Sequence, residues 1–150
     1  MFIKEELKQI CLHRIQAKID EMNGRISSLQ KDLLSETKSS AGDKHETGRA
    51  MIHLEIEKES QKLQNFSEMK ETCLRIKSEE VNSVVALGSI VSTPNMNYFM
   101  NVSLGLIETT SQEKFYAISS NSPIGKLLIG KKAGDSIHFN GREIQINSIS

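Results

Sequence analysis

The feature that most constrains this chain is a run of apolar residues at Ile3, Leu7, Cys11, Ile15, Ile19, Met22, Ile26, Leu29 and Leu33, spaced by four or three positions. An α-helix turns once every 3.6 residues, so side chains at these spacings share one face and predict a long amphipathic helix. A second, looser stripe follows at Ile52, Ile56, Leu63, Phe66, Cys73 and Ile76, with polar Glu59 and Lys70 standing where apolar residues are expected. Between the two lies Thr37-Lys38-Ser39-Ser40-Ala41-Gly42-Asp43, in which Gly42 can end the first helix and Asp43 can cap the second. The stripes are expected to fold back on each other as an antiparallel coiled-coil hairpin. At about 1.5 Å rise per residue, arms of roughly 30 to 35 residues would project on the order of 45–50 Å. Two helices bury only one seam each, and Glu55, Lys58, Glu59 and Lys62 are read as part of the solvated outer face.

Composition changes abruptly near Ser78. Residues 1–78 carry 27 of the 38 charges and no proline, whereas residues 79–150 carry 11 charges, both prolines and six of the nine glycines. The expected organisation is a hairpin over 1–78 with its tip near 42–48, a polar linker over 79–83, and a small β-rich domain over 84–150, an α+β chain. Strand-like runs at Val84–Val91, Tyr98–Ile107 and Lys114–Ser119 are separated by turn chemistry at Thr93-Pro94-Asn95 and Thr109-Thr110-Ser111, and predict a meander. Ser122-Pro123 followed by Gly130 predicts one short helix, with a capping serine, proline at its first position and glycine beyond its end. Two last strands, Ser136–Phe139 and Glu143–Ile149, are joined through the hairpin signal Asn140-Gly141. The expected result is a small sheet curling around one helix.

The bulk chemistry excludes several classes. Formal net charge is +0, so no excess of positive charge supports autonomous binding to duplex nucleic acid. Cys11 and Cys73 have no metal-ligand spacing and read as buried thiols of a reducing cytoplasm. Lys4, Glu5, Glu6 and Lys8 interrupt the apolar start, so neither a signal peptide nor a membrane contact is expected, and the chain is read as cytoplasmic. No G-x-S-x-G or H-E-x-x-H occurs, and Gly125, Gly130 and Gly134 lack phosphate-loop spacing, so neither a stand-alone enzyme nor a small-molecule substrate is expected. Asp43 and Glu46, three apart at a helix start, can present carboxylates to one side, or can be a cap and a capping box. His13, His53 and His138 have no companion at ligand spacing.

The order of parts and several strings resemble the Gre family of transcript cleavage factors. Asn121-Ser122-Pro123-Ile124, then Leu128-Ile129-Gly130-Lys131 and Gly134-Asp135, are similar to the signature of that family's FKBP-like C-terminal domain, and Leu87-Gly88-Ser89 to its opening strand. Gly42-Asp43-Lys44-His45-Glu46 resembles the glycine-aspartate-x-x-glutamate element of the family's hairpin tip. The matches span both halves in the same order. Thr47, Gly48, Arg49 and Ala50 depart from the asparagine, acid and aromatic that usually continue the tip.

The resemblance implies an RNA polymerase partner. The hairpin would enter the secondary channel of a backtracked complex, where the 3′ end of the nascent RNA is extruded. The second domain would dock at the rim through Ser122, Pro123, Ile124, Gly130, Lys131, Gly134 and Asp135. Asp43 and Glu46 would complete the polymerase's own cleavage site by helping to hold a second Mg²⁺ that is shared and absent from the free protein. Lys38, Lys44, His45 and Arg49 would lie near RNA or polymerase. Noncleaving relatives exist, so the alternative implied is a channel-binding regulator that inhibits or modulates the enzyme. An FKBP-like fold also raises prolyl isomerase activity, but that chemistry calls for an aromatic-lined pocket, and the chain has no tryptophan and few aromatics.

Overall fold

The computed structural model describes the backbone of residues 2–38 and 43–150 and the side chains of residues 3–36 and 46–150. Two long helices, α1 (Phe2–Lys38) and α2 (Asp43–Leu74), precede strands β1 (Ile90–Ser92), β2 (Asn97–Met100), β3 (Gly105–Glu108) and β4 (Lys114–Ile118). A short helix α3 (Pro123–Leu128) and strands β5 (Ser136–Phe139), β6 (Arg142–Gln145) and β7 (Ser148–Ile149) complete the chain. The caps expected of Gly42 and Asp43 lie outside the described residues. No helix among the described residues is long and apolar enough to cross a membrane.

The chain divides into two compact units. One is Arg14–Lys70; the other joins the chain up to His13 with Glu71–Ser150. In the first unit the two helices run antiparallel: Lys70 Nζ donates to Gln16 Oε1 at 2.8 Å, and Arg25 meets Glu59 at 3.6 Å. Closer to the tip, a β-carbon on Gly48 would stand 3.2 Å from Glu36 Oε2. The seam is closed at Ile15, Ile19 and Met22 and loosens toward the tip, where Ile26, Leu29, Leu33, Ile52 and Ile56 are half-buried. Both polar interruptions of the second stripe therefore have cross-helix partners on α1. Glu59 does not belong to the solvated face; it is 4% exposed, with Lys62 Nζ 3.3 Å from its Oε1.

The second unit is built on a five-stranded sheet of order β3-β4-β2-β1-β7, with β5 and β6 forming a separate two-stranded ribbon. The expected meander is corrected here: β2 and β4 pair in parallel, and β3 lies beyond β4, antiparallel to it. The run from Tyr98 to Ile107 is consequently two strands. Asn101 to Leu104 carries the chain across, and Gly105 at φ +74 turns it back into β3. The strand expected over Val84–Val91 shortens to β1, because Val85 instead exchanges backbone bonds with the segment after α3, donating to Lys131 O and accepting from Gly130 N, both at 2.9 Å. Likewise the last expected strand breaks at Ile146-Asn147, leaving β6 in the ribbon and β7 beside β1.

Alternation along the strands puts apolar residues on both faces of the sheet. On one face Val91 and Met100 join Val85, Ile124, Leu128, Ile137 and Ile146 in a core closed by α3. On the other, Ile90, Phe99, Ile107, Phe115 and Ala117 are buried, and the roots of the long helices bear on this side. Glu6 Oε1 accepts from the Thr110 N–H (2.8 Å) and hydroxyl (2.9 Å) just past β3, and Asn101 Nδ2 donates to Cys73 Sγ (3.2 Å) just past β2. Lys4 Nζ donates to Glu80 O (2.7 Å), Lys8 Nζ to Ile76 O (2.6 Å), and Ser78 bonds Glu5, so both roots and residues 76–80 are tied together.

Candidate docking segment and hairpin tip

The segment carrying the signature residues is shaped by its own backbone needs. Ser122 Oγ accepts from Gly125 N (3.1 Å) and donates to Ser119 O (2.7 Å), capping α3, while Pro123 occupies the position where its missing N–H costs nothing. Gly125 is there because nothing else fits: a β-carbon would stand 1.9 Å from Ser119 O. Ile124 and Leu128 face the core. Gly130 (φ +79) and Gly134 (φ +91) take the left-handed conformation that ends the helix and opens the next turn, and Asp135 Oδ2 accepts from Lys132 N (2.8 Å) to close that turn.

Of the seven residues expected at the docking surface, Ile124 is thus buried, and Ser122, Gly130, Gly134 and Asp135 hold backbone geometry. Pro123 and Lys131 complete the set; Pro123 is exposed and Lys131 half-exposed. Side chains that the sequence reading passed over fill the outer side of the same segment: Lys126 is exposed, and Leu127 and Ile129 are 38% and 41% exposed. Periodicity gave no signal for Leu127, which lies three residues from Ile124 at the edge of the same helical stripe and would be counted as core by spacing alone.

At the tip, Glu46 stands exposed one turn into α2. The side chains of Asp43, Lys44, His45 and Lys38 lie outside the described residues, so the expected pairing of Asp43 with Glu46 is not among the described contacts. Arg49 and Gly48 are half-buried, Gly48 against Glu36. Among the described residues no group of three or more His, Cys, Asp or Glu side chains could hold a metal ion. A single exposed carboxylate such as Glu46 does suit Mg²⁺, which retains most of its waters and takes one or two protein carboxylates. His13, His53 and His138 are exposed, and Cys11 and Cys73 are buried thiols. Burial pushes the Cys73 thiol above its ordinary range, against smaller opposing effects of the Asn101 amide and the Lys8 charge.

No family model matches this chain, and no curated protein matches it. Among solved structures, the transcription factor Gfh1 is similar over 93% of this chain and 92% of its own, with 20% identity and a TM-score of 0.38.

Proposed function

We propose that this chain is a Gre-type RNA polymerase-binding factor, whose hairpin enters the secondary channel while the α3 segment grips the rim. The observation that carries the reading is the agreement between the signature strings and the elements they build: the Asn121–Asp135 residues fix a capped helix that turns Leu127 and Ile129 outward beside Lys126. An antiparallel hairpin with an exposed Glu46 near its tip agrees with the second string. Glu46 and Asp43 would hold an Mg²⁺ shared with the polymerase, and that ion would supply the polarisation of water and phosphate needed for hydrolysis of backtracked RNA. The chain's own part is to deliver carboxylates, and it is no enzyme by itself.

A second reading, a noncleaving regulator that occupies the same channel, draws on Thr47–Ala50. Here Gly48 is packed close to Glu36 where the family usually carries larger groups, so the surroundings of the acids differ.

Cleavage by purified backtracked polymerase, with and without the factor, tests both. The activating reading expects faster cleavage that Asp43→Asn with Glu46→Gln abolishes, with polymerase binding kept. Binding without stimulation, accompanied by slower elongation, selects the regulator. If Leu127→Asp with Ile129→Asp leaves polymerase affinity unchanged, the docking assignment is wrong.

A further inference from the structure

The β5–β6 ribbon separates from the main sheet after Asn147, whose N–H donates to Ser92 O at 2.8 Å. Beyond that point β6 and the β1–β2 turn diverge, and a cleft of about 500 Å³ opens between them. Its lining includes Tyr98, Phe139 and Ile144, apolar bodies that continue the core, with Pro94 opposite and all four residues of β6 along one wall. This size and lining fall within the range of ligand-binding clefts.

The wall formed by β6 has an open backbone edge. Asn140 (φ 52) and Gly141 (φ 75) make a two-residue turn that closes the ribbon at Phe139 and Arg142. In an antiparallel ladder, hydrogen-bonded and non-hydrogen-bonded pairs alternate, so Arg142 and Ile144 bond to β5 while Glu143 and Gln145 turn their N–H and C=O groups away from it. The bond from Ile146 N to Asp135 O (2.8 Å) continues that phase. Among the described residues β6 has no other strand neighbour. Arg142 shares the inner face with Phe139 and Ile144, lines the cleft, and has no ion-pair partner among the described residues.

We infer that this cleft binds an extended acidic peptide segment of a partner protein, added as a strand to the open edge of β6 with a carboxylate on Arg142 and an apolar side chain over Tyr98, Phe139 and Ile144. Main-chain bonds to Glu143 and Gln145 would supply the pairing, and the apolar floor and the guanidinium the selection. The inference stands apart from the channel-binding reading, since it uses neither the tip nor α3.

The test uses the full chain, ¹⁵N-labelled, titrated with an end-blocked peptide of about eight residues, Val-Ser-Asp-Ser-Val-Ser-Asp-Ser, whose valines and aspartates share one face of a strand. Saturable shifts at the Glu143 and Gln145 amides, with slowed hydrogen exchange of those two, are expected. Arg142→Glu, an exposed change that leaves the spectrum of the fold intact, should weaken affinity about tenfold. Backbone N-methylation of the peptide should abolish binding. No binding at millimolar peptide, shifts centred elsewhere, or equal affinity for the methylated peptide or for the same peptide with lysine in place of aspartate would each overturn the proposal.

Discussion

Glu59 Oε1 lies 3.6 Å from Arg25 Nη1 across the hairpin seam, while Glu59 Oε2 is buried with no partner among the described residues. A half-satisfied buried carboxylate costs desolvation that an apolar side chain of similar size does not. Glu59→Leu is therefore expected to raise unfolding stability by about 1–2 kcal/mol, read from urea midpoints. Arg25→Ala should cost less than about 1 kcal/mol, because Arg25 is itself exposed and Lys62 still faces the same oxygen. Loss of stability in Glu59→Leu would show that the seam needs this charge.

Gly125 admits no β-carbon, with Ser119 O at 1.9 Å and Ser122 Oγ at 2.8 Å from where one would stand. Ser119 O is backbone and cannot swing aside. Gly125→Ala should thus displace α3, at a cost of about 3 kcal/mol or more, visible as a lowered thermal midpoint and, on the proposed docking role of α3, as weaker polymerase binding. Lys126→Ala, on the exposed side of the same helix, should leave the thermal midpoint within a degree or so of the parent.

Hydrogen bonds from the Thr110 N–H and hydroxyl hold the exposed Glu6 carboxyl below its ordinary 4.5. A depressed carboxylate contributes stability above its unfolded value and loses it as pH falls through its folded value. The stability difference between the parent and Glu6→Gln should accordingly be constant near neutral pH and shrink only below about pH 4.5. A difference that instead grew on acidification would contradict the assignment.

Cys73 is buried, and its thiol is held above the ordinary range mainly by that burial. Thiolate, not thiol, attacks alkylating reagents. Iodoacetamide at pH 8 should leave Cys73 unmodified in the native chain and label it at once in denaturant, as mass spectrometry of the digested protein would reveal. Rapid native labelling would mean that the helix roots open readily.

Much of this architecture could be read in advance wherever a local rule sufficed. The stripe from Leu7 to Met22 specified a buried face by spacing alone, Ser122-Pro123 announced α3, and Asn140-Gly141 announced the ribbon turn. What escaped was decided by distant partners. The parallel pairing of Tyr98 with Tyr116 leaves no mark on either segment, because a strand's composition reports burial and not which neighbour supplies its hydrogen bonds. Val84 and Val85 look like strand residues, yet Val84 bridges to Lys132 and the bonds of Val85 go to Lys131 and Gly130, a choice that depends on where α3 ends. Glu59 read as an outward charge because its buried position depends on the register of α2 against Arg25. For the candidate site, the signature strings fall on the α3 segment, where several of their residues serve as its scaffolding and the exposed apolar side chains are Leu127 and Ile129.

The unit that joins the chain up to His13 with Glu71–Ser150 is discontinuous, interrupted by all of Arg14–Lys70. On the ribosome, the N-terminal root emerges first and must wait for the sheet it will cover. The interruption shortens that wait in entropic terms. A helical hairpin forms through contacts between near neighbours, and once zipped it brings His13 close to Glu71 before β1 is made, so the closure of a long loop is already accomplished. The hairpin is thus expected to serve as a folding clamp for the very unit it interrupts, and cutting the connection between α1 and α2 should slow refolding of the β unit far more than it lowers its final stability.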